Sequence, residues 1–349
     1  MPHGGQVAHA ASHGTTDRPV RTNEKEQLRM DMKRIAVGCV CICLAGCVAA
    51  PPRTATDRVP RLGMWVWGPF ATVQSREELL AFCAEEKISH IDQHIGIEKA
   101  GDERSVKNAA ALRALVVAAA RQSLTVNALR GDPRMFFADH HADTLRDVQA
   151  IIDFDRQLPK GVHLAGVKFD VEPYGTKEWR AGGAQREKVM VDYISFLQKA
   201  RALLQEQAPH LELAVDVPFW WDNRELAVTF AGEEKLLIHH VQDQTDYVGL
   251  MSYRPTAQQV LNCGRQELDY AATIGKSMCF GVETGNIKGK EAWISFWGHH
   301  PAHFRKSVAE LRTTLVGNPA ARYIMLHHYG SLVKYLRRTS TPQAPEDNR

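Results

Sequence analysis

The run Gly166-Val167-Lys168-Phe169-Asp170-Val171-Glu172-Pro173-Tyr174 carries three ionisable side chains at alternate positions. Successive side chains of a strand point to opposite faces, so Lys168, Asp170 and Glu172 share one face and Val167, Phe169 and Val171 the other. If the apolar face packs against a core, the charged face turns into a second interior, where charge is costly unless paired or hydrogen-bonded. The strand rise puts the Cα atoms of Asp170 and Glu172 about 6.5–7 Å apart, close enough for both to converge on one substrate atom. Desolvation plus a neighbouring like charge raises one carboxyl pKa, which a general acid working near neutral pH requires. Lys168 with Asp170 also reads as an ion pair plugging that interior. Glu283 repeats the pattern, because Cys279, Gly281 and Glu283 alternate against Met278, Phe280 and Val282.

These residues need a frame to position them. Strand patterns fall at Leu62–Trp67, Ile88–Ile95, Leu124–Leu129, Leu164–Val171, Leu211–Val217, Tyr247–Ser252, Ser277–Glu283 and Tyr323–His328. Helical patterns follow at 75–87, 105–122, 142–158, 184–207, 232–243, 256–274, 303–316 and 331–338, the first opening on a Ser75/Glu78 capping box. Eight strands, each followed by a helix, predict one α/β domain, a (β/α)₈ TIM barrel over residues 61–338. A doubly wound open sheet would carry a Gly-rich turn after its first strand, and Trp67-Gly68-Pro69-Phe70 is not one. In such a barrel chemistry gathers at the carboxyl ends of the strands. The polar residues there are Asp92, His94, Asn127, Arg130, Asp170, Glu172, Asp216, Tyr253, Glu283, His327 and His328.

All seven tryptophans map to that same end: Trp65, Trp67, Trp179, Trp220, Trp221, Trp293 and Trp297. Flat aromatic faces stack on the C–H faces of pyranose rings while the hydroxyls keep their hydrogen bonds, so a carbohydrate is the expected partner. The expected sugar-binding set is Trp65, Trp67, His94, Asn127, Tyr174, Asp216, Trp220, Trp221, Trp297, His328 and Tyr329. The catalytic set is Glu172, Asp170, Tyr253 and Glu283.

Other chemistries find less support. The histidine pairs at 140–141, 239–240, 299–300 and 327–328 cannot chelate as units where adjacent side chains diverge. Strand one reads Met64-Trp65-Val66-Trp67, without the His-x-His of barrel metallohydrolases. His94, His328, Asp170 and Glu172 meeting at the mouth is the one metal arrangement left, and no metal or other cofactor is expected. No Gly-x-Ser-x-Gly elbow occurs. With 43 Lys+Arg against 40 Asp+Glu, the net charge of +3 gives no footprint for nucleic acid. Cys83, Cys263 and Cys279 are widely spaced and form no disulfide framework or Cys-x-x-Cys pair, leaving room for a single disulfide at most.

The N-terminus reads separately. Residues 1–31 are polar and aperiodic, an expected upstream over-extension with the working start at Met32. Met32-Lys33-Arg34 and the apolar run to Ala45 form a secretory signal over 32–46, too short to span a bilayer. Leu44-Ala45-Gly46-Cys47 resembles a bacterial lipobox, which implies lipidation of Cys47 and a membrane anchor at the cell envelope. Val48 rather than Asp after the cysteine points to the outer membrane. Residues 47–60 read as a lipidated tether and 339–349 as a polar tail.

Asp-x-Glu ending strand four resembles the close of the Asp-x-x-Asp-x-Asp-x-Glu signature of family-18 chitinases, and Met251-Ser252-Tyr253 resembles the Met-x-Tyr of their strand six. That resemblance implies Glu172 as acid/base, Asp170 orienting a substrate acetamido group and Tyr253 hydrogen-bonding its oxygen. Carboxylates ending strands four and seven also resemble the retaining-glycosidase clan, which implies a Glu172/Glu283 pair about 5–5.5 Å apart. The expectation is an envelope-facing glycoside hydrolase. An inactive barrel that only binds glycans, as a surface receptor or scaffold, stays open beside it.

Overall fold

The structure, a computed structural model, describes residues 59–68 and 70–338. The upstream segment, the signal, Cys47, nearly all of the tether and the polar tail lie outside the described residues. Eight parallel strands close into a barrel: β1 (Arg61–Val66), β2 (Ile88–His94), β3 (Thr125–Arg130), β4 (Gly166–Asp170), β5 (Glu212–Pro218), β6 (Tyr247–Met251), β7 (Ser277–Glu283) and β8 (Ala321–His327). The order around the ring is sequential, with β1 closing against β8. The surrounding helices are α1 (Val73–Glu85), α2 (Ala109–Arg121), α3 (His141–Arg156), α4 (Gly183–Gln207), α5 (Leu237–Gln244), α6 (Ala257–Cys263), α7 (Arg265–Thr273), α8 (Pro301–Thr314) and α9 (Tyr329–Arg337). This is the expected (β/α)₈ barrel. Among the described residues no helix is long and apolar enough to cross a membrane, and Cys83, Cys263 and Cys279 are free thiols.

Alternation along the strands builds two interiors. The outward residues of β4, Val167 and Phe169, are fully buried under the helices, where Phe169 packs against Phe136 and Phe196. The inward residues fill the barrel, where Trp65, Leu129, Ala214, Tyr247, Cys279, Tyr323 and Met325 surround buried polar groups.

Two excursions depart from the sequence expectation. Residues 105–106 and 233–236, assigned above to helices, belong to antiparallel hairpins, Ile97–Ala100 with Glu103–Val106 and Ala227–Phe230 with Glu233–Leu236. Each closes on a two-residue turn: Gly101–Asp102 with Gly101 at φ 62°, and Ala231–Gly232 with both residues at positive φ. Such turns match the twist of paired strands. Strands of four residues are too short to declare a period of two.

Helix α7 holds Glu267 fully buried, and neither carboxylate oxygen has a hydrogen-bond partner among the described residues. Burial pushes its carboxyl up to about 8. The folded chain therefore holds a proton that the unfolded chain has released, and stability falls as pH rises from about 4.5 towards 8. Glu267→Met, similar in volume and uncharged, is expected to match the parent at pH 5. By pH 8.5 it should be more stable by about 2–4 kcal/mol. Urea unfolding at both pH values checks this, and equal parent and variant curves at pH 8.5 would refute it.

Candidate active site

The inward residues of β1 to β6 form one buried ionic network. Lys168 Nζ lies 2.6 Å from Asp92 Oδ2 and 2.8 Å from Asp216 Oδ1, with all three side chains at most 1% exposed. Asp92 Oδ1 also faces His90 Nε2 at 2.9 Å and accepts from Asn127 Nδ2 at 2.9 Å. Asp216 Oδ2 accepts from Trp65 Nε1 at 2.8 Å. The network needs space across the barrel, which explains the glycine opposite: a Cβ at Gly249 would stand 3.0 Å from Lys168 Nζ and closer still to the Asp216 carboxylate.

Lys168 thus pairs with Asp92 and Asp216, rather than with Asp170 as its position two residues away suggested. Burial opposes the charge of Lys168, but Asp216 and Asp92 outweigh it and hold the ammonium well above its usual range. Burial alone would raise Asp92, yet Lys168 and His90 reverse that and hold it low. Asp216 goes the other way: burial, reinforced by Asp92, exceeds the pull of Lys168 and pushes it up to about 6.

Asp170 ends β4 one step above this network. It stands in register with Asp216 on β5, and its Oδ1 is buried without a hydrogen-bond partner among the described residues. Burial, then Asp216 and Glu172, hold its carboxyl well above the usual range. Hydrogen-bonded strand ends with Asp170, so Glu172 sits two residues past it, at the N-cap of a short turn Pro173–Gly175. Alternation nevertheless continues: Val171 is buried and Glu172 half-buried. Glu172 and Tyr174 adjoin, burial and that carboxylate pushing the Tyr174 phenol up. Tyr253, past the end of β6, is likewise raised by burial and by Glu283, Asp170, Asp216 and Glu172 in turn. Tyr253 therefore lies within electrostatic reach of Asp170 and Glu172. Gly281 leaves room there, since a Cβ would meet Trp65 at 3.0 Å and the Tyr253 ring at 3.1 Å.

Glu283 comes to the same mouth with both oxygens engaged. Oε1 accepts from the Gly285 N–H at 2.5 Å and Oε2 faces His327 Nδ1 at 2.6 Å, with the Glu283 residue only 3% exposed. Glu283 is the partner that orients His327, whose ring lies between Trp65 and Tyr253 at centroid distances of 5.7 and 5.5 Å. The sequence reading ranked His328 above His327. The signal for His327 was strand adjacency, because Glu283 and His327 are register partners on β7 and β8.

The expected sugar-binding set divides. Trp67 and His94 lie ring to ring at 5.4 Å on the rim, and half-buried Trp220 meets Tyr174 edge-on at 5.2 Å. Four others, Trp65, Asn127, Asp216 and Trp221, are corrected by their burial. Trp65, Asn127 and Asp216 are consumed by the buried network and present no surface to a sugar. Trp221 is fully buried, stacked on Trp179 and edge-on to Tyr193, because its neighbour Trp220 takes the outward position of the turn. Tyr329 packs against Phe82 of α1. Trp297 faces Tyr335 of α9 and lies under Arg338. His328 caps the start of α9, its N–H donating to Ser331 Oγ at 2.9 Å. Among the described residues no group of three or more His, Cys, Asp or Glu is disposed to hold a metal ion.

No protein-family model matches the chain, and no curated protein matches it in sequence. Solved structures do match. An exo-β-1,4-mannosidase from Opitutaceae bacterium strain TAV5 aligns with a TM-score of 0.50 at 11% identity, over 79% of this chain and 53% of that one. A β-glucuronidase from Bacteroides uniformis aligns with a TM-score of 0.52 at 12% identity, over 78% of this chain and 30% of that one. A chitinase from Bacteroides thetaiotaomicron aligns with a TM-score of 0.49 at 12% identity, over 79% of this chain and 94% of that one. This chain therefore spans about half of the mannosidase and under a third of the glucuronidase. At these identities the likeness to the mannosidase and the glucuronidase is one of fold.

Proposed function

We propose that the barrel is a glycoside hydrolase that cleaves O-glycosidic bonds of an envelope or environmental glycan, with Glu172 as general acid/base. The observation that carries this reading is Asp170: a carboxyl with a buried, unpartnered oxygen, in register with Asp216 and two residues before Glu172 at the end of β4. Burial and the neighbouring carboxylates favour the protonated form of Asp170, so a proton is held beside Glu172. Glu172, the outermost, hands that proton to the leaving oxygen and then takes one from water. Asp170 orients the reacting sugar from below, Tyr253 closes the opposite wall, and Trp220 and Trp67 supply aromatic rim for the glycan. Because Glu283 is committed to Gly285 and His327, the substrate's own acetamido group is favoured as nucleophile over a Glu172/Glu283 pair.

Hydrolysis of a panel of N-acetylated and plain oligosaccharides by the full chain tests this. Turnover confined to N-acetylated substrates is expected. Turnover of plain sugars alone moves the nucleophile to Glu283, and binding without turnover of any of them replaces the enzyme by a glycan receptor. The reading also places the barrel at the cell envelope through lipidated Cys47. Detergent-phase partitioning of the full chain, abolished in Cys47→Ala, is the corresponding result.

A further inference from the structure

Beyond the acid/base pair, a cavity of about 480 Å³ opens between the loops that follow β5 and β6. Phe219, Trp220, Asn223, Arg254, Gln259 and Asn262 are on its wall. Its size is within the range of small-ligand sites. Its chemistry is that of a sugar subsite: aromatic platform, amides and one guanidinium. Trp220 connects it to the reaction centre, since that ring also meets Tyr174, which adjoins Glu172.

Arg254 is the one cationic side chain among the lining residues. Its guanidinium carbon lies 4.5 Å from the centroid of Phe219 and 4.6 Å from that of Trp293. Nη1 donates to the Tyr253 carbonyl at 2.7 Å, which ties the side chain to the residue beside the acid/base pair. Among the described residues Arg254 forms no ion pair, although Asp222 is on the same wall. The barrel interior is different: Lys168 there is held by two carboxylates. Arg254 is thus a cation fixed by two aromatic rings and one carbonyl, with donors left over and its counter-charge missing. A planar guanidinium binds a carboxylate through paired N–H donors, a geometry that a lysine cannot reproduce.

We infer that this cavity is a subsite for an acidic sugar, whose carboxylate is bound by Arg254 while the ring rests on Trp220. The inference rests on the glycosidase reading for its setting and extends it to the substrate class, a uronate-containing glycan. Two features reduce the anionic charge at the reaction centre. Asp92 and Asp216 flank Lys168, and crowding favours the protonated form of Asp170. Burial likewise pushes Asp222 up, which weakens its repulsion of an anion.

The test is calorimetric binding by the full chain carrying Glu172→Gln, so that no ligand is consumed. The probes are oligomers of glucuronate, galacturonate and mannuronate, the same oligomers after carboxyl reduction, and a sulfated neutral oligosaccharide. Binding of at least one uronate oligomer well above its reduced form is expected. Adding Arg254→Met should weaken that binding about 10- to 100-fold and leave the reduced form unchanged, with Arg254→Lys restoring only part. Equal binding of acidic and reduced probes overturns the inference, as does a preference that survives Arg254→Met or binding of the sulfated probe alone. Binding of none of the uronates overturns it as well. Turnover by the parent chain separates the two readings. Hydrolysis of neutral glycans without an Arg254-dependent preference leaves the glycosidase standing and removes the acidic subsite. Arg254-dependent uronate binding with no hydrolysis does the reverse.

Discussion

Glu172→Gln is expected to lower kcat on an unactivated glycan by about 10²- to 10⁴-fold while leaving glycan binding within a few-fold of the parent. The side chain keeps its length and polarity and loses only the ability to carry a proton. An alkoxide leaving group needs that proton in the transition state, whereas a phenol of low pKa departs nearly unaided. The loss should therefore shrink as the leaving group improves, a trend that a merely structural role for Glu172 does not produce. The setting supports the assignment. Glu172 is half-buried at the mouth, beside Tyr174, and Asp170 below it feels its charge. Steady-state kinetics on a series of aryl glycosides and on the parent oligosaccharide measure the effect. A variant as active as the parent on the oligosaccharide would end the acid/base role. A uniform loss independent of leaving group would recast Glu172 as a binding residue.

The frame was legible because period and punctuation agreed for every barrel strand. All eight fall within two residues of their expected bounds, Ser277–Glu283 without any shift. Alternation also placed Lys168, Asp170 and Glu283 inward from sequence alone. It could not say which inward side chains meet across the ring. Lys168 reaches Asp92 on β2 and Asp216 on β5 across the barrel interior, and Asp216 itself stands in register with Asp170 and Gly249. Register between distant strands depends on barrel closure, and a single sequence does not encode it in any local period. The tryptophans failed for a related reason. Trp220 and Trp221 are adjacent on one short turn, so one ring must turn inward, and only packing against Trp179 and Tyr193 decides that it is Trp221. Arg254 lies past the end of β6, where no strand period marks it. Its aromatic clamp joins the loops after β5 and β7.

Lys168→Met should destabilise the chain by about 3–5 kcal/mol near neutral pH, the cost of removing one member of a buried ion cluster and stranding the others. Methionine fills most of the same volume, so a cavity contributes little and the loss is electrostatic. Asp92 and Asp216 would be left at 0% and 1% exposure with no cation between them. Their folded carboxyl pKa values then rise, and the folded state binds protons that the unfolded state has released. Stability of the variant must therefore fall as pH increases above the ordinary carboxylate range, so the deficit against the parent is larger at pH 8 than at pH 5. Urea denaturation at the two pH values reads both numbers. A deficit that does not change with pH would mean lost packing rather than stranded charge, and no deficit at either pH would remove the network from the account of stability. Asp92→Asn and Asp216→Asn, added to Lys168→Met, should recover part of the loss by removing the unpaired anions. The same triple variant bears on catalysis, because Asp170 owes part of its raised pKa to Asp216. The Asp216 and Asp92 charges together outweigh that of Lys168, which acts the other way. In the triple variant Asp170 therefore ionises at lower pH, and the alkaline limb of kcat/KM should move to lower pH even where folding has been restored.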